Sequence, residues 1–486
     1  MSALSPDLMY FASRMSGFST NTFKIETNNQ STATSSSIIA FDLPSNSIIN
    51  LRSFKCFFRA NANKVASAGG RLPPVKDLVE RVEVAMGGVV LSQGTNFVNV
   101  LCEAKKALHG DYTDSCLGHP EYIRATSYTN PALTLTTTGN ENDTATYHCI
   151  DTWEGFLGTA DPMLFDTSIV PNIRIRLYMA TDNVLSNVAG VVIGTASGSF
   201  ADSAGTNATT GAPLPNAPNA TKPKYELTDI HATIECVNLA DMTYENMLAS
   251  QMSAQGDLEV PYKAFYTFND THTGSSKFSV ASSSLDRIWL AWRGSDYNTV
   301  NNPITVQGHK IQGGFTSSTS IADTTSAGAV TQDLGKPQYD VGGVLDTNNE
   351  KYKGRYFNFS QPVLWSAPTT EWKAQLQLNG AYMPQFSANI EELYGITRNS
   401  LEGARYAKTM TLDQYRKNYC VQCFRLNMPN SEYSRSLSGV DSRATNLQGI
   451  VRTENASTSA NPNLMIFAET TEILNISAGR SISIVV

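Results

Sequence analysis

The sequence predicts an all-β protein in which one kind of domain is used twice, and three observations carry that expectation. A strand ending in a tight turn occurs once in each half. Val82, Val84 and Met86 alternate with other residues and run into Gly87-Gly88; Ala374, Leu376 and Leu378 alternate and run into Asn379-Gly380. A helical stripe follows each turn. Phe97, Val100, Leu101, Ala104 and Leu108 share one helix face, and Ile390, Leu393, Tyr394, Thr397 and Leu401 repeat that spacing. Upstream hydroxyls, Thr95 and Ser387, are the expected caps. Finally, hydrophobic residues make up 41% and charged residues 16% of 486 residues, with Ser, Thr, Asn and Gly abundant. That balance suits strands joined by long polar loops, and the length calls for more than one core.

Along the chain, residues 1–20 look like an arm, carrying Met9, Tyr10, Phe11, Met15 and Phe18. Phe23–Glu26 and Ser37–Leu43 are expected to pair, and Ile48–Arg59 holds a further strand. Ile173, Ile175, Leu177 and Met179 alternate with Arg174, Arg176 and Tyr178, a half-buried strand. From Ser186 to Lys224 the composition shifts to Gly, Ala, Ser, Thr, Asn and Pro, too poor in apolar residues to order itself alone. Tyr225–Val237 resumes a strand with Ile230, Ala232, Ile234 and Cys236 on one face. A short helix at 241–256, capped by Thr243 and stopped by Gly256, is the expected domain boundary. Strands then follow at Leu258–Phe268, Lys277–Val280 and Asp286–Trp292. After a polar excursion from Gly294 to Glu350 come the second repeated unit and strands at Asn418–Asn427, Leu464–Leu474 and Ile482–Val486. The expected division is an arm at 1–20, one β-domain at 21–240, the linker helix and a second β-domain at 257–486.

The net charge of −7 argues against a function driven by phosphate neutralisation, so no sequence-specific nucleic-acid partner is expected. Residues 1–20 lack the basic and apolar regions of a secretory signal, and no apolar run is long enough to span a bilayer. Seven scattered cysteines, an odd number, read as reduced thiols rather than a disulfide framework.

No catalytic, cofactor-binding or metal-binding residue emerges, and the chain is expected not to be an enzyme. Cys420-Val-Gln-Cys423 is a lone C-x-x-C in a strand pattern, without the second pair of a zinc site or the helix of a redox site. His109, Cys116, His119, His148 and Cys149 form the densest His/Cys group, at spacings that match no zinc pattern. Gly194-Thr-Ala-Ser-Gly198 has the letters of a nucleophile elbow but lies in low-complexity sequence with no helix after it. Glu391-Glu392 and Asp241 are expected on solvated faces or as helix-dipole partners, and no phosphate-cradling P-loop occurs. Trp289 and Trp292 are three apart, so they cannot share a strand face; core and inter-domain packing is their expected role.

Each half offers about eight strands with one helix, the content of a jelly roll. The join Tyr225-Glu-Leu-Thr-Asp-Ile … Cys236-Val-Asn-Leu, a helix, then Leu258-Glu-Val-Pro-Tyr resembles the passage between the barrels of double jelly-roll major capsid proteins. Ser438-Gly-Val-Asp-Ser-Arg-Ala-Thr-Asn, with Phe467-Ala-Glu … Ile476-Ser-Ala-Gly-Arg, is similar to the last strands of such proteins in virophages and polinton-like viruses. The resemblance implies two tandem eight-stranded jelly rolls and a structural subunit of a double-stranded DNA virus. It implies a homotrimer of pseudo-six-fold outline tiling an icosahedral shell, beside neighbouring capsomers, penton and minor capsid proteins. It further implies a place in the virion after assembly in the host cytoplasm or nucleus, and no cofactor. The excursions 186–224 and 294–350 would sit on the outer surface or clasp neighbours. A two-domain β-sandwich carbohydrate-binding or attachment protein is the alternative, and it would need exposed co-facial aromatics.

Overall fold

A computed structural model describes residues 18–61, 70–109, 146–187, 224–239, 256–298, 355–359, 371–401, 420–428, 437–454 and 462–486, apart from a few positions within those spans, together with 248, 250, 253, 412 and 415. Twelve strands build the N-terminal barrel: β1 (Phe18–Glu26), β2 (Ala33–Thr34), β3 (Ile38–Asp42), β4 (Ile48–Asn61), β5 (Gly70–Arg71), β6 (Val79–Met86), β7 (Val89–Leu91), β8 (Thr146–Ile150), β9 (Leu164–Asp166), β10 (Ile173–Met179), β11 (Ser186–Asn187) and β12 (Glu226–Leu239). Helix α1 (Val98–His109) follows β7, and the short α2 (Phe156–Thr159) follows β8. The C-terminal barrel comprises β13 (Asp257–Thr271), β14 (Ser275–Ser279), β15 (Leu285–Arg293), β16 (Lys373–Leu378), β17 (Ala381–Asn389), helix α3 (Ile390–Ser400), β18 (Val421–Arg425), β19 (Gln448–Glu454), β20 (Asn463–Ser477) and β21 (Ser481–Val485).

The pairing identifies the fold. In the N-terminal barrel the sheets run β1-β12-β4-β8 and β3-β10-β6-β7; in the C-terminal barrel they run β13-β20-β15-β18 and β14-β19-β16-β17. With the eight principal strands of each barrel counted in chain order, both sets read first-eighth-third-sixth and second-seventh-fourth-fifth. That is the interleaving of a jelly roll, present twice. The expected pairing of Phe23–Glu26 with Ser37–Leu43 is not made: β1 pairs with β12 and β3 with β10, in different sheets. Alternation tells which face of a strand is apolar, but it does not tell which strand lies beside it.

Both repeated units are present, with two differences. Gly87-Gly88 and Asn379-Gly380 each have two consecutive positive φ angles, 56° and 93°, then 45° and 90°. This is the two-residue turn whose twist matches an antiparallel hairpin. A strand, β7 or β17, intervenes between each turn and its helix. The expected caps are also displaced. Thr95 donates its hydroxyl to the Phe265 carbonyl in the other barrel, and Ser387 donates to Glu454. Asn389 caps α3: its side chain accepts from the Glu392 amide while Glu392 accepts from the Asn389 amide.

Other expectations stand where they were placed. β10 alternates buried and half-buried residues, and Ile230, Ala232, Ile234 and Cys236 are all buried in β12. The chain ends in the sheet, with β21 paired to β20. Strand β1 begins at Phe18, within the segment read as an arm. Of the linker, Leu248, Ser250 and Ser253 are helical; Thr243 lies outside the described residues. Residues 438–442 dock along the start of β15. Gly439 accepts no side chain there, because a Cβ would stand 2.5 Å from the Leu285 carbonyl oxygen.

The C-terminal core holds a buried histidine. His272 lies between the hydroxyls of Ser276 (2.6 Å) and Thr453 (2.7 Å), edge-on to Trp292. Burial disfavours the imidazolium and outweighs Asp270, lowering the pKa to about 4. An unfolded histidine takes up its proton near pH ~6.5. Stability present at neutral pH is therefore lost as the pH falls through the window from there to about 4. Calorimetry at pH 6.5 and 5 should show a larger fall in Tm for the native chain than for His272→Gln; equal falls would refute this assignment.

Candidate functional site: assembly surfaces

The two barrels stand side by side with the same polarity. At one end of the N-terminal barrel, Asn61 meets Glu226 and Ala60 meets Thr146. At one end of the C-terminal barrel, Arg293 meets Asn463, which meets Thr271. These ends coincide: Asn183 donates to Asn298 at 2.7 Å, and Arg293 lies within charge reach of Glu80. Segments 62–69, 188–223 and 299–354, outside the described residues, all begin and end here. The Arg293 guanidinium lies 3.9 Å from the Tyr297 ring centroid and 5.0 Å from that of Tyr356, and it donates to Asn463 at 2.9 Å. A single buried cation thus holds both roots of 299–354.

The contact between the barrels is a continuous interface. Helix α1 is buried on every side from Val98 to Ala104, and all nine residues of β15 are buried. An ordinary jelly-roll strand hides only one face; on the second face of β15, Arg293 lies against Tyr297 and Tyr356, and Trp289 donates to Glu469, which lies in the field of Lys105 from the N-terminal barrel. Between them lies a charge cluster. Lys105 pairs with Glu154 at 2.8 Å and overlies the Phe265 ring at 5.3 Å. Burial works against the Lys105 ammonium, but Glu154 and Glu469 outweigh it and raise its pKa. Glu469 accepts from Trp289 Nε1 at 3.0 Å and stands 3.6 Å from Arg287. The edge of β13 is sealed as well: Asp161 donates to the Pro261 carbonyl, the Lys263 amide to Thr159, and Thr267 to the Asn96 carbonyl. An edge strand whose free groups are met in this way cannot recruit a stray strand.

The same two elements recur with exposed residues on the corresponding sides. Strand β4 is the N-terminal counterpart of β15. Its residues alternate, with Arg52, Lys55 and Arg59 exposed and Phe57 half-buried against His231. Strand β1 is the counterpart of β13, and Ser19 to Lys24 are all exposed. Helix α3 is the counterpart of α1: Ile390, Leu393, Thr397 and Ser400 are buried, whereas Glu391, Glu392, Arg398 and Asn399 face outward. The chain therefore holds one closed contact between its barrels, and the counterparts of its two sides carry exposed residues.

Among the described residues, those weighed for chemistry form no common site. Cys420 and Cys423 are fully buried, and burial pushes both thiols well above the ordinary range. In the folded chain they should resist iodoacetamide at pH 8 and react on unfolding, as read by peptide mass spectrometry; rapid native labelling would overturn this. His148 and Cys149 lie in β8 and His109 ends α1, while Cys116, His119, Asp241 and Gly194–Gly198 fall outside the described residues. Among the described residues no cluster of three or more His, Cys, Asp or Glu forms a metal site. No described helix is long and apolar enough to cross a membrane. Trp292 faces its own core between His272 and Trp372, and Trp289 lies on the opposite face of β15, donating to Glu469. Lys105, Glu154 and Glu469 were not singled out from sequence. The available signal was Glu469 closing the apolar run Leu464–Ala468, a charge that demands a partner from another element.

No protein-family profile and no curated protein sequence matches the chain. Solved structures do. The Faustovirus major capsid protein superposes with a TM-score of 0.53 at 9% identity, covering 98% of this chain and 93% of that one. A PBCV-1 virus capsid structure gives 0.51 at 10% identity, covering 99% of both chains. PBCV-1 VP54, fitted into a reconstruction of the virophage Sputnik, gives 0.51 at 11% identity over 99% of both. Strand order in both barrels and likeness over nearly the whole length agree: this chain has the double jelly-roll fold of these viral capsid structures.

Proposed function

We propose that this protein is a structural major capsid protein, without catalytic activity, that assembles as homotrimers tiling an icosahedral shell. The observation that carries the reading is the pair of exposed counterparts to the two sides of the closed contact. They lie on different barrels and are unlike each other, so association between copies is head-to-tail, and such contacts close into a ring when the rotation permits. Six barrels in a ring, two from each of three chains, would repeat one kind of contact and give a pseudo-six-fold outline. The fold shared with viral capsid structures supports the same reading. The residues before β1 would act as an arm, and 241–256 as the linker between barrels. The end bearing 188–223 and 299–354 would face outward. Neighbouring capsomers, penton and minor capsid proteins are the further partners.

A carbohydrate-binding or attachment role is less well supported, because Trp153, Trp289, Trp292 and Trp372 are all buried. Light scattering after size exclusion tests the proposal, with a mass three times that of the 52.8 kDa chain as the expected result. Electron microscopy of concentrated protein should show triangular or hexagonal capsomers. A monomer at all concentrations would overturn the reading.

A further inference from the structure

The end of the molecule opposite segments 62–69, 188–223 and 299–354 carries two matching apolar pads. At that end Ile48 of β4 meets Val237 of β12 and Asp166 of β9. In the other barrel Leu285 of β15 meets Thr470 of β20 and Val440. The two arrangements are equivalent. β4 and β15 are each the third principal strand of a barrel, and near the start of each a short segment bonds to the edge that β8 or β18 occupies further along. Each short segment turns two apolar side chains to solvent: Met163 and Leu164 on the N-terminal barrel, Leu437 and Val440 on the C-terminal barrel, all 36–45% exposed. Single exposed apolar residues are ordinary, but the same pair at the same place in both barrels marks a surface that is covered.

We infer that residues 4–15 of the same chain seat on these two pads and close the base of both barrels. Strand β1 begins at Phe18, which meets Leu239 at this end, so the 17 residues before it, outside the described residues, join the barrel here. They bring Leu4, Leu8, Met9, Tyr10, Phe11 and Met15, with Asp7 and Arg14 as the charged side chains among them. The distances suit the seat. β1, β12, β4 and β9 are successive neighbours, which sets the first pad three strand spacings, ~14 Å, from Phe18. Asp161 bonds to the outer edge of β13 at Pro261, and β13, β20, β15 and Val440 are again successive, which sets the second pad ~20 Å further on. At ~3.3 Å per extended residue, the segment before Phe18 reaches ~56 Å, enough to cross both pads. The inference takes from the capsid reading only its arm, gives that arm a place on its own chain, and holds whether or not copies associate.

Replacing Phe11 with the photo-crosslinker benzoylphenylalanine in the full-length chain tests the seat. The expected product joins residue 11 to 161–166 or 437–440 and runs at the 52.8 kDa of one chain. Leu164→Asp combined with Val440→Asp changes two exposed positions, so the product should be lost at unchanged Tm. Deleting residues 1–17 should speed amide exchange in peptides covering 161–166 and 437–441 by roughly tenfold, since a covered segment opens less often. A product at the mass of two chains would give the pads to the arm of a neighbouring copy and overturn the seat within one chain. Cross-links confined to other segments, with exchange unaltered by the deletion, would overturn it altogether. Pads protected only when phosphatidylglycerol vesicles are added would give them to a lipid surface instead and overturn it too. Light scattering reads the capsid proposal separately: a trimer without these cross-links leaves that proposal standing, and the cross-link in a chain that never associates leaves the seat standing.

Discussion

Replacing Glu469 with alanine should cost about 3–5 kcal/mol, the range found when one member of a buried ion pair is deleted. The carboxylate is 5% exposed and serves three groups at once: it accepts from Trp289 Nε1, sits beside Arg287, and lies in the field of Lys105 from the opposite barrel. Burial by itself would raise its pKa, but Arg287, Lys105, Lys263 and the Trp289 N–H together outweigh burial and hold it below the ordinary value. Removal takes a carboxylate partner from the buried Arg287 and from the Trp289 N–H, and leaves Lys105 with Glu154 alone. At about 2–4 °C per kcal/mol for barrels of this size, Tm should fall by roughly 10 °C. Because the cluster joins the barrels, calorimetry should also show the native transition separating into two steps. The pH dependence follows from the lowered pKa. The stabilisation is complete above the unfolded glutamate value, ~4.3, and is lost as pH falls through the folded value. The alanine variant should therefore lose less stability than the native chain on going from pH 6 to pH 3. A Tm within 2 °C of native, roughly 1 kcal/mol or less, would show that the cluster does not couple the barrels.

Trp292→Ala should be as damaging, by a different route. Trp292 is fully buried, donates Nε1–H to Gln422 Oε1, and meets His272 and Trp372 edge-on, with centroids 5.0 and 5.5 Å away. Truncation opens a cavity that the closed barrel cannot collapse into, at a cost of about 3–5 kcal/mol. It also leaves the Gln422 oxygen without its donor. Trp292→Phe keeps most of the volume and loses mainly the hydrogen bond, so about 1–3 kcal/mol is expected. Urea unfolding followed by fluorescence would rank native, Phe and Ala in that order. The loss should be confined to the C-terminal barrel, whereas Glu469→Ala should be felt in both. Equal stability of the Phe and Ala variants would mean that packing at this position contributes little.

Much of the fold was legible because strand burial leaves a local record. The alternation in Ile173–Met179 and Tyr225–Val237 marked those strands, and the consecutive Gly87-Gly88 and Asn379-Gly380 marked two-residue turns. Strand β17 left no such record: as an edge strand it exposes Tyr382 and Phe386 and buries little, so its residues do not alternate. The cap of α3 is legible as Asn389 followed three residues later by Glu392, a capping box, whereas the upstream Ser387 has its hydroxyl on Glu454.

By itself the sequence marked most of the strands, and it showed that a unit recurs and that Cys420 and Cys423 sit in a strand rather than in a metal or redox motif. Those properties depend on neighbours within a few residues, where side-chain period and turn chemistry act. Only the tertiary structure decided which strands pair, that Lys105 and Glu469 of opposite barrels lie in each other's field, and that β15 is buried on both faces while β4 carries exposed residues on one. Each of these depends on groups hundreds of residues apart being brought within a few ångströms, and no local pattern records the distance at which two charges or two sheets will meet.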